Sequence, residues 1–405
     1  MGCQRTGPGT RPKDAGAIGT VASARPDAAS TGEREALTLV PASRCGECHG
    51  AMEGEWRGSA HAQADTSPLY VRMRGAAAGG DCDACHAPLR RFAPADPAAR
   101  EGVTCDACHT LGGSTPAQGG APAPVWHPED NVRYGPLCDT QPHYFHRMGC
   151  SPLHRDAQFC AACHDGNRQL PTIAGAPRSL FPEFEEWRDD YSTRGSQECQ
   201  GCHMPAARRE VAVGSQERPG IREHVFALGD RLLGRALRGQ ARISRSGDTV
   251  QVVVTLTNDG AGHSVPTGLP ERRLQVGVEL RDPTGHVIAR SEHSRGRVLV
   301  DASGQVAPFY AASRVAQDDR IRSGHSAEDA FALPVAGAAQ LVVFVRRRPL
   351  AHAIWARVGG PLPPDDPMLQ ATVPVPAPRG VVPSAGSGVA AQTGDVPALS
   401  VRLAP

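Results

Sequence analysis

A chain of 405 residues has room for two domains, yet only 4% of it is aromatic, while 45 Gly and 36 Pro make up about one residue in five. So few large apolar side chains exclude an ordinary two-domain hydrophobic interior, unless something other than side chains fills part of it. The formal charge of +1 excludes nucleic acid, or a membrane surface bound through a polybasic patch, as the partner.

Residues 1–37 read as a lipoprotein-like N-terminus and flexible linker, rich in Gly, Ala, Ser, Pro and Thr. Met1-Gly2-Cys3 fits the end of a bacterial lipoprotein signal, with Cys3 as the lipidated first residue of the mature chain. The same residues with Thr6 fit a myristoylation pattern, and an unmodified terminal cysteine stays open beside both. No apolar run reaches the ~18 residues of a membrane helix. Lys13 is the only lysine, an arginine bias that a GC-rich genome explains without any function.

Residues 38–235 carry the informative pattern. Ten of the 13 cysteines fall into Cys45-x-x-Cys48-His49, Cys82-x-x-Cys85-His86, Cys105-x-x-Cys108-His109, Cys160-x-x-Cys163-His164 and Cys199-x-x-Cys202-His203. Thiols three residues apart lie on one side of a helical turn, where each can add to a vinyl group of one haem. The following histidine then sits beneath the ring, where its imidazole ligates iron. A zinc site would reuse paired thiols without requiring His after every second Cys. Five covalently attached haems c are therefore expected, and haem is a large apolar filler for a chain short of core residues. The two propionates of each haem suit arginine forks. Such attachment takes place on the outer side of a bacterial cytoplasmic membrane, which points to a periplasmic or cell-surface protein and speaks against myristoylation. In that oxidising space Cys138 and Cys150 can pair or stay free.

The sixth iron ligand decides what each haem does: a second histidine closes it for electron transfer, and an open position allows catalysis. Candidates in the first half are His61, His127, His143, His146, His154 and His224, joined from the second half by His263 in a Gly/Pro-rich loop. Met52, Met73, Met148 and Met204 are the methionine alternatives.

The surroundings of these histidines resemble the cytochrome c-554 type multihaem family over roughly residues 40–230. The matching stretches are Trp56-Arg-Gly-Ser-Ala-His61-Ala, Ser151-Pro-Leu-His154, Glu186-Trp187, Cys202-His203-Met204-Pro205 and His224-Val-Phe226. The resemblance implies that His61, His154 and His224 are distal ligands and that the haems pack as a close, partly parallel array. A second match, Asn258-Asp-Gly-Ala-Gly-His263-Ser-Val-Pro-Thr-Gly268 followed by Pro270-Glu-Arg-Arg273, looks like a segment of a C-terminal β domain that accompanies such cytochromes.

Residues 236–350 alternate apolar and polar, as in Val250, Val252, Val254, Leu256 and again Leu274, Val276, Val278, Leu280. Arg297–Val300 and Leu341–Val345 supply further strands, and Asp282-Pro-Thr-Gly285 and Asp301-Ala-Ser-Gly304 read as turns. The expected fold class is multidomain: a mainly α or irregular multihaem cytochrome c domain, then an all-β sandwich-like domain. Residues 351–405 read as a Pro/Ala-rich tail, either disordered or an extended cover.

The expected function is electron carriage between redox partner proteins through mostly bis-His haems, with no catalytic residues. The alternatives are an oxidoreductase acting on a small nitrogen or sulfur compound at one open haem, and a subunit of a surface electron conduit. Pentahaem nitrite reductases place lysine where one motif has its histidine. All five motifs here end in His, so that variant is excluded.

Overall fold

A computed structural model of the chain describes residues 39–77, 82–115, 123–141, 143–165, 180–195, 197–226, 230–376 and 399–405. Cys3 and the expected linker lie outside them.

In the first half the helices are short. They are α1 (Ala42–Gly46), α2 (Gly50–Arg57), α3 (Pro68–Ala76), α4 (Asp83–His86), α5 (Cys105–His109), α6 (Gln158–His164), α7 (Glu183–Glu186) and α8 (Cys199–His203), followed by α9 (Asp230–Ala236). The longest, α3, has nine residues, with Ser67 as its N-cap and Pro68 in its first turn. Helices this short have little stability of their own, so of "mainly α or irregular" the second describes the first half better: irregular chain punctuated by helices of one to about two and a half turns. Three two-stranded ribbons join them: β1 (Leu111–Thr115) with β2 (Ala123–Trp126), β3 (Val132–Gly135) with β4 (Arg147–Cys150), and β5 (Ala206–Arg209) with β6 (Arg218–Arg222). The main apolar cluster here consists of Leu39, Leu89, Ala93, Ala98, Ala99, Ala107, Leu111 and Trp126. Half of these are alanines, too small to fill a domain of this length.

The second half is a two-sheet sandwich. Its strands are β7 (Arg238–Ser246), β8 (Thr249–Thr257), β9 (Arg273–Arg281), β10 (Val287–Val300), β11 (Arg314–Asp318), β12 (Ser326–Pro334), β13 (Gln340–Arg348), β14 (Asp366–Pro374) and β15 (Leu399–Leu403). One antiparallel sheet runs β11-β10-β9-β13-β14 and the other β12-β8-β7-β15. The alternating residues of β8 and β9 meet between the sheets: Val250, Val252, Val254, Leu256, Leu274, Val276, Val278 and Leu280 are all 0% exposed. The outer face of β9 is covered as well. Gly277 lies under the Phe344 ring, which a Cβ at that position would strike, and Arg346 and Arg290 cross that ring at 4.3 and 5.1 Å.

The expected end of the sandwich at residue 350 is too early. Residues 352–358 form helix α10 (His352–Val358), and β14 and β15 close one edge of each sheet, so described parts of the tail belong to the sandwich. Both are edge strands, which explains how β14 tolerates Pro367 and Pro374. Among the described residues no helix is long and apolar enough to cross a membrane.

Glu271, just before β9, is 1% exposed; its Oε1 accepts the Phe309 N–H at 2.5 Å and its Oε2 has no partner. Burial pushes its carboxyl up to about 7, against the pull of the Phe309 N–H and of Arg273 and Arg272. Between an unfolded value near 4.5 and about 7, the folded chain holds a proton that the unfolded chain has released. Stability therefore falls as pH rises through that window, by about 3 kcal/mol in all. Glu271→Gln is expected to flatten this dependence and to raise the sandwich's thermal midpoint at pH 8; calorimetry from pH 5 to 8 checks it. Equal slopes for both proteins would count against it.

Candidate functional site

Each Cys-x-x-Cys-His stretch closes a helical turn. The His49 N–H donates to Cys45 O at 2.8 Å and the His86 N–H to Cys82 O at 3.0 Å, while the other three stretches lie in α5, α6 and α8. Three of the imidazoles are anchored through Nδ1: His49 on Val211 O at 2.7 Å, His86 on Ala64 O at 2.9 Å and His109 on Tyr134 O at 2.7 Å. A carbonyl only accepts, so Nδ1 carries the proton and Nε2 keeps its lone pair, the arrangement of a metal-binding histidine.

Second histidines stand opposite four of the five. Between ring centres, His146 lies 6.4 Å from His49, His61 6.3 Å from His164 and His263 6.3 Å from His203. His109 faces two rings, His224 at 6.2 Å and His154 at 5.8 Å. Two metal–nitrogen bonds of about 2 Å each, with the half-width of each ring, put two imidazoles sharing one metal roughly 6 Å apart. His224 holds its Nδ1 on Arg222 O at 3.1 Å and so offers Nε2, whereas His154 uses Nε2 on Cys108 O at 3.2 Å. The Nδ1 atoms of His61 and His154 are buried without a partner. Burial pulls His61 down to about 3, and His154 and His224 to about 4, leaving each imidazole neutral as a ligand must be.

The ring against His86 is that of Tyr70, stacked at 4.1 Å and 17°. A ring flat on the imidazole face lies beside the axis along which a metal would be bound, not across it. The Tyr70 hydroxyl donates to Asp83 Oδ1 at 3.1 Å, and Asp83 also pairs with Arg74 at 2.8 Å and Arg90 at 2.9 Å. No histidine ring is paired with His86 among the described residues.

Two expected candidates are not brought opposite any motif histidine. His127 lies near Tyr134, 6.4 Å between ring centres, with Glu129 at 3.8 Å. His143 is exposed and stacks on Tyr144 and Phe145 at 4.6 and 5.0 Å. Their neighbour His146 reaches inward because its loop is closed by a Cys138–Cys150 disulfide, Cα atoms 4.7 Å apart, and by the parallel pairing of β3 with β4.

Distant residues aim the other histidines. Glu55 Oε2 accepts the His224 N–H at 2.8 Å and is gripped by both ends of the Arg209 guanidinium. The Val103 N–H donates to His61 O at 3.0 Å, and Trp56 Nε1 donates to Val103 O at 2.8 Å. Arg209, 154 residues from Glu55, is a contact that no local sequence signal marks, and the same holds for Tyr70 beside His86.

Thiols of different motifs touch: Cys45 with Cys105, Cys85 with Cys163, and Cys160 with Cys199. Cys108 acts electrostatically on both Cys160 and Cys163. Desolvation holds Cys108 in its neutral form, pushed up to about 11. The fourth motif is thus beside the second, third and fifth, and the first lies beside the third. Among the described residues no three His, Cys, Asp or Glu side chains converge as a chelating group; His49, His164 and His203 each face one further imidazole, and His109 faces two.

No protein-family model and no curated protein matches the chain. Among solved structures it is similar to a penta-heme cytochrome c552 from Thermochromatium tepidum, with a TM-score of 0.64 and 21% identity over 84% of this chain and 100% of that one. The likeness shows a shared fold that takes in both halves of the molecule. A β-glucosidase 3B from Thermotoga neapolitana also matches, at 13% identity over 48% of this chain and 19% of that one, but its TM-score of 0.17 carries no argument.

Proposed function

We propose that the protein is a multihaem c-type cytochrome that carries electrons through five covalently attached haems on the outer side of a bacterial membrane. The observation that carries the reading is the set of histidine pairs about 6 Å apart, each with one member ending a Cys-x-x-Cys-His turn. Two imidazoles complete a metal's coordination only if something else supplies the equatorial ligands, as a porphyrin does. The fold shared with a penta-heme cytochrome supports it further.

Haem supplies one-electron chemistry; the chain supplies thiols that fix each ring, imidazoles that cap it and carbonyls that orient them. The expected holders are Cys45, Cys48 and His49 with His146; Cys105, Cys108 and His109 with His224; Cys160, Cys163 and His164 with His61; and Cys199, Cys202 and His203 with His263. Cys82, Cys85 and His86 would hold a haem that faces no second histidine among the described residues. That position favours a second reading, in which a small nitrogen or sulfur compound reacts at the His86 haem. Partner proteins as donor and acceptor, and a lipid anchor at Cys3, belong to the same proposal.

One measurement series tests both readings. Mass spectrometry of the mature protein is expected to find five covalent haems. Paramagnetic resonance is expected to find four low-spin centres and one that turns low-spin on adding cyanide. A zinc-loaded or haem-free protein from a cytochrome c-competent host overturns the first reading. Five centres indifferent to cyanide overturn the second.

A further inference from the structure

The loop that carries His263 belongs to the sandwich half, yet it is fastened by residues of the first half. Glu186, at the end of α7, is 3% exposed and spends both carboxylate oxygens across the junction. Its Oε2 accepts the N–H of Ser264, the residue after His263, at 2.9 Å, and its Oε1 accepts Arg320 Nη2 at 2.8 Å. Arg320 is itself held by Asp318, with Nε on Oδ1 at 2.8 Å and Nη2 on Oδ2 at 3.0 Å. Next to it, Ile321 exchanges backbone hydrogen bonds with Val265 at 2.9 and 3.0 Å. Both residues bound by Glu186 therefore flank one small bridge beside His263.

The rest of the loop is fixed as firmly. Asn258, fully buried, donates through Nδ2 to His263 O and to Ile321 O, each at 2.8 Å, and its Oδ1 accepts the Ala261 N–H at 3.2 Å. Gly262 lies against Trp187 and Tyr191, so that a Cβ there would stand 3.0 Å from Trp187 Cδ1. Trp187 follows Glu186, and its Nε1 donates to Gln197 O at 3.0 Å, two residues before Cys199. The connections close a ring: the fifth motif to Gln197, Trp187 and Glu186, across to Ser264 and His263, and back to His203 at 6.3 Å.

A buried carboxylate is costly unless its oxygens are paired, and here each has one charge-assisted or backbone bond. Both of its bonds lead to the immediate surroundings of His263: the residue beside it and the arginine of its bridge.

We propose that Glu186 is a positioning residue for the sixth ligand of the fifth haem, holding His263 over His203 through Ser264 and Arg320. Ligation of that haem thereby reports whether the two halves are docked. The proposal rests on the reading of His203 and His263 as one haem's ligands.

The test uses the mature five-haem protein and its His263→Ala, Glu186→Gln and Glu186→Ala variants. His263→Ala is expected to turn one haem in five high-spin and to be restored by added imidazole. In Glu186→Ala the ratio of ligated to unligated fifth haem is expected to fall by at least about tenfold, the effect of losing hydrogen bonds to a charged group. Imidazole should restore the low-spin spectrum without restoring the junction. Glu186→Gln keeps one acceptor and should fall between, which guards against a variant that fails to fold. If His263→Ala leaves all spectra unchanged, the ligand reading fails. If it changes one haem while neither Glu186 variant does, the ligand stands and the positioning role is overturned.

Discussion

His61→Ala is expected to abolish the low-spin signature of one haem in five and to slow electron passage between the two ends of the array by at least about tenfold, the scale on which even outer-shell changes at metal sites act. The effect should be large because of where His61 points. It faces His164, whose motif touches the second and fifth motifs through thiol contacts and lies beside the third. The imidazole is prepared for that role: burial keeps it neutral, Phe226 packs edge-on at 4.2 Å and its carbonyl is tied to Val103. Alanine leaves an apolar space into which free imidazole can enter, so millimolar imidazole should restore the spectrum. An unchanged count of low-spin haems would show that His164 has some other partner. Stopped-flow reduction, read at several wavelengths, separates the rate from the spectrum.

Leu280→Ala in β9 is expected to destabilise the sandwich by about 2–5 kcal/mol, because the side chain is fully buried between two sheets that cannot collapse onto the gap. For a unit of this size that lowers its thermal midpoint by roughly 5–20 °C. The spectroscopic companion is the sharper part. Since His263 comes from the sandwich half, unfolding of that half should release one haem's sixth ligand at the same temperature, in the parent and in the variant alike. Following the charge-transfer band of high-spin haem during the melt checks it. A single high-spin haem that forms well below or above the sandwich transition would separate the two events.

Much of this was legible because the signals are local. The attachment turns need only five adjacent residues, and β8 and β9 announce themselves by a period of two that the sandwich interior then occupies. The strands missed at the end of the chain, β14 and β15, are edges, where proline is tolerated and one side needs no partner, so pattern and composition read as tail. Of "mainly α or irregular", the second half of the expectation describes the first domain better, because a Cys-x-x-Cys-His turn is helical for a turn and no longer. The pairing of second histidines is a different matter. His61, His146, His224 and His263 were all in the candidate set, but which faces which depends on Glu55 with Arg209, on a disulfide-closed loop and on Glu186 with Arg320. Of these, only the cysteines of the loop around His146 are visible near the histidine they help to place; the carboxylate and arginine partners lie far away in sequence. Tyr70 against His86 is the clearest case, since nothing around Leu69-Tyr70-Val71 marks it as the neighbour of an attachment turn.

The contacts among thiols carry one more consequence. With the fourth attachment turn beside three others, haems held as proposed above would form a branched array and not a single file. In the language of circuits, the fourth centre would be the node at which branches from the second, third and fifth meet, so a change in its potential would be felt on all three.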